Sequence, residues 1–352
     1  MPLPSRVQTL VIGRLRGLLV AVATATAVSI ATAAAVSMAG SMPSRSAQTV
    51  ESGFSRIQSP ASDADLAALS TRTVALGAAG GGRVEQVPLE VYVARVLSGE
   101  GEPNAPEATQ QALAIAIRTY TLFNIGRHAR EGFDLCDAVH CQVPRAAARD
   151  SARAAALATA GRILTFRGAP AEIFYSASCG GRSEVAEAVW PGTSHPYLRA
   201  RKDDVHDEDM PWTLEMSLAD LQAHLERNGF SGTLKNVEIK GHTKSDRVAV
   251  LKLSGMQPER IGSYQFRAAI GTTVLRSTAF SVKKRDDLLQ VTGRGYGHGV
   301  GMCVIGAGRR ARRGESAAEI LNVYYPGLKI EQADEIRAFI KENQSKLKAK
   351  EQ

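Results

Sequence analysis

Between Val87 and Tyr120 the apolar positions twice fall into a helical period. Leu89, Val93, Val96 and Leu97 recur every three or four residues, which predicts a helix over about 88–98, with Pro88 suited to its first turn. Ala112, Ile115, Ala116 and Tyr120 predict a second, starting near Pro106. Gly99 and Gly101 end the first helix and Pro103 keeps it from continuing, which leaves Glu100 and Glu102 in a short connection. Upstream, 71–76 reads as a first strand and 77–82 as a glycine-rich loop. Downstream, 150–160 reads as an Ala-rich helix stopped by Gly161, and 163–166 with 171–175 as a hairpin around Arg167-Gly168. From 234 to 291 apolar and polar residues alternate. Short helices are expected at 218–227 and 263–270. Ser316 and Glu319 form a capping box for a helix that Pro326-Gly327 closes. Without βαβ alternation the class is α+β: a helical N-terminal part carrying the helix pair, then a mainly antiparallel β region with short helices.

A chain of 352 residues, 44% hydrophobic, is long enough for one large domain or two ordinary ones. Lys and Arg number 43 against 35 acidic residues, a formal charge of +8. The charge is scattered and no nucleic-acid signature accompanies it, so an anionic wall polymer or a membrane surface fits better than nucleic acid. Arg6, Arg14 and Arg16 precede an uncharged run over 17–40, and Ser37-Met38-Ala39 fits small-x-small cleavage. Residues 1–40 therefore read as a signal peptide or retained membrane anchor, and the remainder as exported to the periplasm or cell envelope. The organisation that follows is a linker with the first strand over 41–83, one domain over 84–330, and a charged tail over 331–352.

Three constellations and one carboxylate carry candidate chemistry. Glu100, beside permissive backbone at the end of an apolar helix, suits a general acid/base; a solvated turn is the other reading. His128, Cys136, His140 and Cys141 offer two imidazoles and two thiolates, a donor set soft enough for tetrahedral zinc. A Cys136–Cys141 disulfide or separate thiols would use the same residues. A segment from Phe174 to Glu184 breaks at Gly180-Gly181, where backbone can approach a ligand. Trp190 beyond it could stack on a sugar or fill core. Five glycines from Gly293 to Gly301 alternate with Arg294, Tyr296, His298 and Val300, a density that ordinary strands do not need. The Gly-Lys-Ser/Thr ending of a phosphate loop is absent.

Taken in order, VPLEVYVARVLSGE with its Ala-rich helix ending in IRTY, FDLCDAVHCQV, FYSASCGGRSE and GRGYGHGVGM resemble the SpoIID/LytB family (stage II sporulation protein D). The likeness runs from about 84 to 330 and continues through EILNVYYPG. It differs at Leu113 and Val304, where the family usually has Gln. The resemblance implies a peptidoglycan lytic transglycosylase that cleaves the MurNAc–GlcNAc bond and forms 1,6-anhydroMurNAc, with Glu100 as general acid/base. It also implies zinc on His128, Cys136, His140 and Cys141. Arg118 would orient Glu100 or bind substrate, with Ser178, Gly180, Gly181, Ser183, Glu184, Trp190, Tyr296 and His298 on the glycan. In the family the segments holding Cys179 and Cys303 approach one another, which makes these two a disulfide candidate. The alternative from the same family is a non-catalytic glycan-binding module that stimulates a cell-wall amidase.

Overall fold

Pro88 and Pro106 each cap a helix, Leu89–Glu100 and Glu107–Phe123, where fixed φ and a missing N–H cost nothing. The computed structural model describes residues 60–70, 72–203 and 211–333. The expected leader over 1–40, the linker before residue 60 and the tail beyond 333 lie outside the described residues. The first helix runs further than its apolar period suggested. Glu100 is its last residue, and Gly101, extended at φ −92° and ψ 151°, ends it. Both helices are buried on nearly all sides, so their burial exceeds one amphipathic stripe. Around them pack the helices Asp150–Ala158, Val304–Arg312 and Ala317–Tyr324, and the strand Arg162–Phe166.

Three small sheets or strand pairs frame this core. Thr73–Gly77 pairs antiparallel with Val84–Pro88 and parallel with Leu135–Cys136, which brings Cys136 in beside the first strand. Arg162–Phe166 pairs with Lys329–Gln332 and, through a turn with Arg167 at φ 55°, with Ala169–Pro170. That hairpin is shorter than expected. Pro170 has no N–H for the ladder, and the chain leaves the sheet after one further bond from Ala171 N–H to Leu164 O. Tyr175–Ser176 then pairs parallel with Met302–Cys303, at the far end of the chain.

A second hydrophobic cluster is built wholly from 212–291, around Leu221, Leu225, Val248, Leu251, Leu253, Phe266 and Leu275. One antiparallel sheet orders Phe280–Arg285, Leu288–Gly293 and Trp212–Ser217; another orders Arg260–Gly262, Val248–Gln257 and Ser231–His242. The first cluster draws on residues before and after this stretch, from Leu66 to Leu198 and from Val300 to Ala333. The class is α+β, as expected, but helices are spread along the chain and do not concentrate at its start. Polar ties join the clusters. Glu184 accepts from the Thr243 and Ser245 hydroxyls at 2.5 and 2.8 Å, and Arg247 donates to Cys179 O at 2.5 Å. Among the described residues no helix is long and apolar enough to cross a membrane.

Candidate active site and metal centre

Glu100 closes its helix against the segment Gln142–Val143. Val143 N–H donates to Glu100 Oε1 at 2.6 Å, and the Tyr175 hydroxyl bonds to the same carboxylate. Burial pushes the Glu100 carboxyl above its ordinary value, and the two hydrogen bonds only partly offset this. Tyr175 is fixed in turn by Gln142 Nε2, which donates to its hydroxyl at 2.9 Å. Gln142, fully buried, accepts from the Tyr92 and Thr121 hydroxyls at 3.2 and 2.9 Å. This chain of bonds locks the donors that face Glu100. Close approach requires Gly99: a Cβ there would fall 1.8 Å from Val143 O. Tyr175, Gln142, Tyr92 and Thr121 were not among the residues picked from sequence, although Gln142 directly follows the Cys/His pair.

The loop leading to Gln142 gathers the four predicted metal donors. One ligand atom each of His128, Cys136, His140 and Cys141 lies within 4.8 Å of the others. His128 Nε2 is 3.3 Å from Cys141 Sγ, Cys136 Sγ is 3.1 Å from His140 Nε2, and the two Nε2 atoms are 3.2 Å apart. A zinc tetrahedron with Zn–N near 2.0 and Zn–S near 2.3 Å has edges of roughly 3.3–3.8 Å, close to these contacts. His128 Nδ1 faces Glu131 at 2.9 Å, a carboxylate that fixes the ring with Nε2 inward. Asp134 and Asp137 pin the loop by accepting from Ala75 and Ala79 N–H at 2.9 and 2.8 Å. The residues fit zinc.

The other predicted residues divide. Arg118 does not reach Glu100. It is fully buried and makes a two-pronged ion pair with Glu90, at 2.8 and 2.5 Å, plus a bond to Arg162 O. Its position on the buried helix faces Glu90 at the start of the other helix, so it braces the helix pair. Ser183 and Glu184 are also buried and committed internally: Ser183 Oγ accepts from Arg201 N–H at 3.0 Å, and Glu184 holds the Thr243 turn. They are scaffold and do not line a cleft. Ser178, itself buried, bridges Tyr296 through paired backbone bonds of 3.1 and 2.9 Å. Gly180 lies so close to Arg294 that a Cβ would fall 2.9 Å from its carbonyl carbon, and Gly181 O accepts from Asp203 N–H.

His298 has both ring nitrogens tied to backbone: Nδ1 accepts from Val300 N–H at 3.0 Å and the ring also bonds to the Tyr175 main chain. Burial, reinforced by Arg267 and Arg247, pulls its pKa down to about 3, so the imidazole is neutral. Its ring meets Trp190 at 5.0 Å, and Trp190 stacks on Phe174 at 4.2 Å. Tyr296 is exposed on the same glycine-rich loop, whose Gly295, Gly297, Gly299 and Gly301 all have φ between 71° and 113°. Cys179 and Cys303 do meet, but no S–S bond joins them. Cys303 Sγ accepts from Cys179 N–H at 3.2 Å and from Gly306 N–H at 3.3 Å.

Comparison with known proteins adds independent findings. A family model described as Stage II sporulation protein matches residues 79–166, and one described as a domain of unknown function (DUF8618) matches 206–301, the second cluster. Stage II sporulation protein D of Bacillus subtilis (strain 168) is 30% identical over 272 residues, covering 71% of this chain and 76% of that protein. An uncharacterized protein of Brachyspira hyodysenteriae is 31% identical over 252 residues, covering 70% and 67%. The amidase enhancer of Bacillus subtilis (strain 168) is 32% identical over 219 residues, 48% of this chain and 31% of that longer protein.

Proposed function

Because the chain belongs to the SpoIID family, we propose that it is an exported cell-wall protein that cleaves peptidoglycan glycan strands as a lytic transglycosylase. The observation that carries this reading is the Glu100 carboxyl, raised in pKa by burial and faced by two hydrogen-bond donors. A protonated Glu100 gives its proton to the glycosidic oxygen between N-acetylmuramic acid and N-acetylglucosamine. The carboxylate so formed is stabilised by Val143 N–H and the Tyr175 hydroxyl. It then takes the proton of the muramic 6-hydroxyl as that oxygen attacks C1 and closes the 1,6-anhydro ring. One carboxyl cycles between acid and base, no water is consumed, and the second carboxylate of most glycosidases is not needed.

Zinc on His128, Cys136, His140 and Cys141 would supply folding energy and no chemistry, since four protein donors leave no open position. The exposed Tyr296 and the half-buried Trp190 are the aromatic surfaces for pyranose rings. Export rests on the leader-like residues 1–40, cleaved or kept as an anchor.

A second reading draws on the relative named amidase enhancer: the same residues bind glycan and the protein stimulates a cell-wall amidase. Incubating the purified protein with peptidoglycan and analysing products by mass spectrometry separates the two. Anhydro-muropeptides support cleavage. Their absence, with retained glycan binding and faster amidase turnover, supports the second reading.

A further inference from the structure

Behind the Ser178–Gly181 turn lies a cluster that glycan cleavage does not use. Cys179, Asp203 and Cys303 are 2%, 5% and 0% exposed, and one donor atom of each lies within 4.8 Å of the other two. They come from three separate stretches of chain: the turn, the segment before residue 204 and the cap of the Val304–Arg312 helix. Cys303 Sγ receives the N–H groups of Cys179 and Gly306, and it sits at the positive end of a nine-residue helix. The neighbouring Cys179 sulfur and burial nevertheless hold the Cys303 thiol well above its ordinary pKa, so the site carries its protons until a cation displaces them. The Tyr324 hydroxyl donates to Asp203 Oδ2 at 2.7 Å, and Asp203 N–H donates to Gly181 O at 2.9 Å, so the carboxylate is held from two sides. Gly306 makes this possible, because a Cβ there would fall 2.3 Å from both Asp203 Oδ2 and Tyr324 Oη.

We propose that Cys179, Asp203 and Cys303 form a second metal site, distinct from the His128 set, which takes one Zn(II). Two sulfurs exclude the hard cations Mg²⁺ and Ca²⁺, and the carboxylate favours borderline Zn(II) over Cu(I). Binding releases the two thiol protons to solvent. The two thiolates and the carboxylate then surround the dication, and their excess negative charge faces the helix N-terminus and the two N–H donors. The ion would tie the Ser178–Gly181 turn to the end of the glycine-rich loop, close to the strand that carries Tyr175.

The test compares zinc bound per chain in the full-length protein and in Cys303→Ser, whose hydroxyl still caps the helix. The expected result is a loss of about one equivalent in the variant, whatever the content of the His128 site. With Co(II) as probe, thiolate charge-transfer absorption should fall in step. Equal zinc content in the two proteins overturns the proposal, as does an intact mass showing a Cys179–Cys303 disulfide. Should Cys303→Ser fail to fold, Asp203→Asn decides, since it keeps an acceptor for Tyr324. Weakening of zinc binding at that site by roughly tenfold or more supports the site, and an unchanged affinity overturns it.

Discussion

Val143 donates its N–H to the Glu100 carboxylate at 2.6 Å, and it stands two residues after Cys141. The Cys/His loop and the acid therefore share one stretch of backbone. Cys141 belongs to the donor cluster, Gln142 fixes Tyr175, and Val143 bonds Glu100. Order in the loop is order at the carboxyl.

Glu100→Gln should abolish glycan cleavage by at least the ~10²-fold that a positioned acid/base supplies, with glycan binding retained. Glu102→Gln, at an exposed position, should be tolerated. Quantified anhydro-muropeptide release decides, and equal rates for wild type and Glu100→Gln would sink the assignment.

The raised Glu100 pKa has a signed consequence. The folded protein holds this proton more tightly than the unfolded chain, so the associated stability is present below the ordinary carboxyl value and lost as pH rises through the folded one. Melting temperature against pH should decline across that window in wild type and less steeply in Glu100→Gln. Cleavage needs the acid form first and should decline over the same window. Tyr175→Phe removes a bond that lowers the Glu100 pKa, so the decline in rate should move to higher pH. Movement to lower pH contradicts the arrangement.

Arg118→Met leaves Glu90 as a buried, unpaired carboxylate and should cost about 3–5 kcal/mol of stability. Denaturant titration measures this. Activity per folded molecule should change little, whereas a large fall in kcat at unchanged stability would return Arg118 to the site.

Gly99→Ala should lose activity well beyond its loss of stability, because the new Cβ displaces the Val143 carbonyl and with it the amide on Glu100. Comparing kcat with the unfolding midpoint tests this, and a variant with wild-type kcat would refute it.

Chelation of metal from the His128, Cys136, His140 and Cys141 set should lower the melting temperature, since a closed four-donor site adds folding energy. Re-addition of zinc should restore it. His128→Ala should weaken binding, and a melting temperature indifferent to chelator would speak against a metal there.

Local signals carried much of this molecule. The prolines before both central helices and the Ser316 capping box act within a few residues, and the Cys/His donors fall within one loop, so these could be read directly. What depended on distant partners could not. Arg118 is expected at the site from the resemblance alone, and Glu90 becomes its partner only when the two helices pack. Tyr175 looked like the end of a hairpin, yet it pairs with Met302 and so faces Glu100. Ser183 and Glu184 sit in a glycine-rich motif that invites a ligand-binding reading, but their partners, Arg201, Thr243 and Ser245, lie beyond it.

The insertion of the 212–291 cluster within the first cluster also sets an order of assembly. The insert draws its apolar core from its own residues alone, although its Thr243, Ser245 and Arg247 bond outside it. The first cluster must wait for Val300, Met302 and the helices Val304–Arg312 and Ala317–Tyr324, which are synthesised after it. Tyr175 gains its strand partner only then. A nascent chain thus carries Glu100 from early on but lacks the Tyr175 strand pairing opposite it until the final segments are made.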